Sequence, residues 1–248
     1  MSETKAMPLQ LVIVTDLMGG LLAIAPGALG WATSFVALRS TWGSDFAFFA
    51  VAVATPLIAA LTMIAVIAVT RLALPPMRKG VYRAGLNRGM LAWYCAMALN
   101  RASKVSGLHS LIHSSNLLRF LHYRALGARI AYDVQMAIDV TLVDTPLIEI
   151  GSGAVIADEV TISCHTFVGD RLVLKPVKIG SGAFVGARTL IGPGAKLGPD
   201  AWIGAGNLVA AALIEPGQKI PSFAWERGKP ASTPADAGPS STAASRPD

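Results

Sequence analysis

The sequence predicts a chain in two parts: a transmembrane helical hairpin followed by interfacial helices, then a parallel β-helix shaped as a triangular prism of about five coils. Three observations predict it. Two long apolar runs lack any charge, a basic block without a single acid follows them, and an aliphatic residue returns every six positions through the second half. The composition agrees, with 53% hydrophobic against 15% charged residues, where a soluble domain carries about a quarter charged.

The hairpin comes first. Residues 17 to 38 carry no charge between Asp16 and Arg39, and residues 46 to 70 carry none between Asp45 and Arg71. Each run suffices to cross a bilayer, which takes about 20 apolar residues as a helix. A cleaved signal peptide is a poorer account of the first run, because it lacks a basic N-terminal flank and a second apolar run follows closely. Residues 1–70 are therefore an N-terminal segment plus two spans.

Residues 71–125 form the membrane-proximal part. Ten of the 21 basic residues lie from Arg71 to Arg129, and no acid occurs between Asp45 and Asp133. The positive-inside rule places such a block on the cytoplasmic side, which predicts a multi-pass protein of the inner (cytoplasmic) membrane with the repeat on the cytoplasmic face. Nucleic acid is the competing partner for a basic block. The interleaved apolar stretches Met90–Leu99 and Leu117–Leu121 favour helices lying on membrane lipids, with basic residues reaching anionic headgroups. His109 and His113 share a helical face near His122, but the block holds no carboxylate to complete a zinc site, so no metal is expected. Two cysteines, Cys95 and Cys164, do not make a disulfide framework.

Residues 126–228 carry the repeat. Its clearest units begin at Ile150, Ile156 and Ile162, and the series resumes at Ile179, Val185, Ile191, Leu197 and Ile203, ending near Val209. A short strand and a tight corner give this period, and three units close one turn of a prism whose aliphatic residues stack in a column. The small residue after each aliphatic one marks the bend, where Gly adopts angles others resist. Asp144 falls on a nominal aliphatic position, which predicts an irregular second coil. The tail, residues 229–248, is rich in Pro, Ala, Ser and Thr and is expected to be disordered.

Val168 and Ile179 stand one residue short of two units apart, so the coil must be distorted or looped out between them. His165, the one histidine of the repeat, immediately precedes this break, where function tends to be grafted onto a regular scaffold. Asp170 completes a His-x-x-x-x-Asp pattern, but five extended residues separate the two by about 16 Å. Only a chain folded back on itself would bring them together. A Cys164–His165 pair is disfavoured, since neighbours in extended chain point to opposite sides.

These units, with the closing segment Ala224–Ala231, resemble the hexapeptide-repeat acyltransferases. The resemblance covers roughly residues 126 to 231 and implies a left-handed coil, an acyl-CoA or acetyl-CoA co-substrate, a homotrimer, and His165 as general base. It also implies a pantetheine groove along Ala187, Ala205 and Ala210, with Lys229 near the nucleotide phosphates. Thr166 and Phe167 depart from the Asp or Asn that follows the histidine in sugar acetyltransferases of this fold, which leaves the acceptor open. A γ-class carbonic anhydrase would need three repeat histidines. The expected activity is a membrane-bound O- or N-acetyltransferase acting on a lipid-linked or polymeric acceptor. The wider layout is similar to the terminal membrane region of polylysine-synthetase-type nonribosomal peptide synthetases, which supports an alternative: a non-catalytic trimeric membrane scaffold or export element.

Overall fold

The computed structural model describes residues 9–224, with side chains from residue 13 onward; Lys229, most of the closing segment and the tail lie outside them. Helices α1 (Leu9–Ser40) and α2 (Asp45–Ala73) form an antiparallel hairpin, and both are long and apolar enough to cross a membrane. Their contact is built from small residues. A Cβ on Gly30 would stand 2.5 Å from the Ala59 carbonyl oxygen, and the Ser34 hydroxyl donates to the Thr55 carbonyl at 3.0 Å. Close backbone approach of this kind is how apolar helices associate without a hydrophobic driving force. Large apolar side chains, among them Phe35, Phe46, Phe49 and Leu72, remain exposed along the outer faces.

Four helices follow: α3 (Arg88–Asn100), α4 (Ala102–Val105), α5 (His109–Ser114) and α6 (Asn116–Ala125). Asn87 caps α3 by accepting from the backbone N–H groups of Gly89 and Met90, which satisfies two donors a helix start leaves open. Two features depart from the expected interfacial surface. Arg119 is buried, its guanidinium donating to the Ala137 carbonyl at 3.2 Å and to Met136 and Asn116, so it ties α6 to the first coil instead of reaching outward. His113 and His122 are also buried, on mixed faces of α5 and α6 that bury Ile112, Leu118 and Tyr123 as well.

The second half is a stack of short strands in three parallel sheets. One contains Arg129–Ile130, Ile148–Ile150, Val177–Ile179, Lys196–Leu197 and Leu213–Ile214. The next contains Gln135–Met136, Val155–Ile156, Phe184–Val185, Trp202–Ile203 and Lys219–Ile220. The third contains Thr141–Leu142, Thr161–Ile162, Leu190–Ile191 and Leu208–Val209. The chain visits them in rotation, and each strand sends one aliphatic side chain into a common core that includes Leu142, Ile156, Ile162, Ile191 and Ile203. The small residues after them answer to stacking more than to backbone angle. A Cβ on Gly186, which has no positive φ, would lie 2.5 Å from the Ala205 nitrogen of the adjacent coil.

The column differs from the expected phase in three places. In the first coil its members are Ile130, Met136 and Leu142, because the 3-10 turn Thr145–Leu147 inserts two residues before Ile150. Val168 is exposed and outside the column. The break therefore runs from Ile162 to Ile179, filled by an antiparallel hairpin of His165–Val168 and Arg171–Leu174. The stack also continues past Val209 to Ile220.

Segment 71–125 holds one element that helical patterning does not anticipate. Strand Gly80–Arg83 pairs antiparallel with Arg171–Leu174, giving a three-stranded sheet that projects from the prism. Leu172 and Leu174 on its inner face bury against Met77, Met90, Trp93 and Ala96, so the excursion rests on α3.

Candidate functional site

His165 stands where the chain leaves the third sheet to enter the projecting hairpin. Its Nδ1 lies 2.7 Å from Oδ2 of Asp144, a fully buried carboxylate. Parallel pairing explains the meeting. Leu142 is in register with Ile162, so the corner after Leu142 carries Asp144 beneath Cys164, and His165 is the next residue. The Cys164 backbone N–H donates to Asp144 Oδ2 at 2.8 Å, while the indole Nε1–H of Trp93 on α3 donates to Oδ1 at 3.0 Å. A buried carboxylate is costly unless such donors surround it, and both Asp144 oxygens are satisfied here.

An ionised carboxylate only accepts hydrogen bonds, so Nδ1 must carry the proton of the neutral imidazole, which leaves Nε2 as the basic nitrogen. The ring is held further by the Ser163 hydroxyl, 3.2 Å from Nδ1, and by edge-on packing against Trp93, with centroids 5.2 Å apart. Phe167 packs edge-on against both rings. His165 is partly exposed and lines a cleft of about 490 Å³ whose other walls include Lys175, Gly192, Pro193, Ala210 and Ala211.

The other sequence candidates take different places. Ala210 shares the His165 cleft, on the same prism corner two coils further along. Ala187 and Ala205 lie together but line another cleft, with Arg188, Glu159 and Phe223, on the neighbouring corner. Asp170 sits at the hairpin tip and pairs with Arg83 at 3.0 Å. The chain does fold back, yet the two-residue turn carries Asp170 away from His165. Cys164 is buried, and burial, reinforced by the Asp144 charge, pushes its thiol up to about 12, which removes it as a thiolate nucleophile.

His109 Nε2 and His113 Nδ1 are 3.0 Å apart. Burial, then the neighbouring histidines, brings His113 down to about 3, and burial brings His122 down to about 4. Asp139 acts electrostatically on His109 alone of the three, and no group of three or more potential metal ligands occurs among the described residues.

Sequence reasoning missed Asp144 and Trp93. Asp144 was visible as an anomaly, a charge at an aliphatic position, but its partner depends on coil register. Trp93 lies in an apolar stretch that reads equally well as a lipid-facing surface.

No family model and no curated protein matches the chain. Among solved structures it is similar to the hexapeptide-repeat acetyltransferase VCA0836 of Vibrio cholerae, at 16% identity and a TM-score of 0.37, covering 50% of this chain and 85% of that one. A galactoside acetyltransferase in complex with coenzyme A matches at 19% identity and a TM-score of 0.30, over 48% and 76%. The Neisseria gonorrhoeae serine acetyltransferase in complex with serine matches at 20% identity and a TM-score of 0.27, over 85% of each chain.

Proposed function

We propose that this protein is a membrane-bound, acyl-CoA-dependent acyltransferase of the hexapeptide-repeat type, with a left-handed coil and His165 as general base. The observation that carries the reading is the buried Asp144 carboxylate against Nδ1 of His165, beside a cleft that Ala210 also lines. The carboxylate orients the imidazole and stabilises the imidazolium formed as it takes the acceptor's proton.

The reaction follows from the residues. The acceptor hydroxyl or amine gives its proton to His165 Nε2 as its oxygen or nitrogen bonds to the thioester carbonyl carbon. The carbon–sulfur bond then breaks, and the imidazolium returns the proton to the departing thiolate of coenzyme A. The cleft fits the donor's narrow pantetheine arm, since Gly192, Pro193, Ala210 and Ala211 leave a shallow wall and Lys175 supplies a positive charge. Ala187 and Ala205 belong to the same groove only if a second copy brings its corner to this one. A homotrimer would bring such a second corner, and its three hairpins would give six spans.

The uncharged hairpin and the basic segment behind it support an inner-membrane location with the prism on the cytoplasmic side. There it would meet cytosolic acyl-CoA and a lipid-linked or polymeric acceptor. A scaffold has no use for a buried carboxylate aimed at an imidazole, so the site favours the enzyme. The test is heating of the detergent-solubilised full chain with acetyl-CoA. Millimolar ligand that binds the native state raises the midpoint, and an unmoved midpoint together with no acyl transfer would return the scaffold to first place.

A further inference from the structure

A second cleft of about 490 Å³ opens where α2 ends, between the last turn of that helix, the Leu74–Met77 segment, α3 and the first coil. Its walls combine apolar side chains, Leu72, Leu74, Pro76, Leu99 and Leu126 among them, with an almost equal polar surface. The charged side chains lining it are Arg71 and Arg129, both cationic.

Arg71 is set in place. Its Nε donates to the Ala125 carbonyl at 2.8 Å, which leaves its two terminal nitrogens for another partner. Gly127, at φ +99°, makes room for it: a Cβ there would stand 3.4 Å from Arg71 Nη1. Arg129 is largely exposed and uses Nη1 on Glu149 at 2.6 Å, leaving Nη2 available. Two guanidinium groups at a partly apolar cleft fit a phosphate with an attached hydrocarbon chain, since arginine matches phosphate geometry.

We propose that this cleft binds an anionic phospholipid of the host membrane, its phosphate between Arg71 and Arg129 and its acyl chains along the apolar wall. The assignment rests on the membrane reading, because the cleft lies at the end of the second span. It does not depend on catalysis. The seat has a consequence for the active site all the same, as Pro146 and Ala92 line the cleft. Pro146 lies two residues from Asp144, and Ala92 adjoins Trp93, the residue whose indole holds that carboxylate.

The test is native mass spectrometry of the delipidated full chain, titrated with phosphatidylglycerol, phosphatidylcholine or inorganic phosphate. The expected result is one phosphatidylglycerol per chain held in preference to phosphatidylcholine, with no competition from phosphate. Losing one charge-assisted contact in Arg71→Gln or Arg129→Gln weakens retention about tenfold. Arg129→Gln keeps the test open should Arg71→Gln misfold, because the Arg129 side chain is largely exposed. Equal retention of the two lipids, unchanged retention in both folded variants, or equal displacement by phosphate overturns the assignment. Lipid selectivity in a protein whose midpoint acetyl-CoA leaves unmoved and which shows no acyl transfer would overturn the enzymatic reading and leave the cleft standing.

Discussion

Nδ1 of His165 and Oδ2 of Asp144 are 2.7 Å apart although 21 residues separate them in the chain. A regular coil of three six-residue units spans 18 residues, which would place Asp144 beneath Ile162. The two-residue insertion at Thr145–Leu147 lengthens this coil, so Leu142 pairs with Ile162 and Asp144 falls under Cys164. One local irregularity thus turns an aspartate that would break the apolar column into the partner of the imidazole.

His165→Ala is expected to lower kcat by about 10²- to 10⁴-fold, the usual contribution of a general base. Thermal stability should also fall, by about 1–3 kcal/mol, because the buried Asp144 carboxylate loses one of its donors. Transfer assays on the folded variant check this, and full activity would sink the assignment.

Asp144→Asn keeps the volume but removes the charge that fixes the Nδ1–H tautomer. We expect a kcat loss of about tenfold or more with KM for acyl-CoA nearly unchanged, measured by steady-state kinetics. Asp144→Ala should also destabilise the fold by about 1–3 kcal/mol for each buried donor left unpaired, here the Trp93 indole and the Cys164 amide.

Trp93→Phe tests whether the membrane-proximal helix belongs to the site. Phenylalanine retains much of the packing against His165 and Phe167 but lacks the indole donor. The expected outcome is a stability loss of about 1–3 kcal/mol and a fall in kcat at unchanged KM. Activity equal to the parent would show that α3 only supports the hairpin mechanically.

Acid should loosen the helical cap. His113 and His122 have folded values near 3 and 4, below the ordinary 6.5, so the unfolded chain binds more protons in the interval between. Their stability contribution is complete above about pH 6.5 and is lost as pH falls towards the folded values, with a slope of up to about 1.4 kcal/mol per pH unit for each histidine. Unfolding midpoints across this interval check the sign. A folded His122→Phe variant should show the shallower dependence.

The prism is equally testable. Gly186→Val would force a side chain against the Ala205 backbone, where even a Cβ stands 2.5 Å from the nitrogen. Overpacking of this kind costs about 1–3 kcal/mol, and a denaturation midpoint equal to that of the parent would contradict the observed stacking.

Much of this protein is local and hence legible in its sequence. Two uncharged runs make helices, a six-residue period makes short strands, and His165 stands beside the interruption; each depends on residues within a few positions of one another. Only the tertiary structure decided what His165 meets. Parallel register over 20 residues brings Asp144 to it, α3 folds back so that Trp93 holds that carboxylate, and the hairpin turn sends Asp170 to Arg83 instead. The physical reason is that period specifies which side chains point inward, whereas insertions between units shift one coil against the next and so choose which corner residues touch.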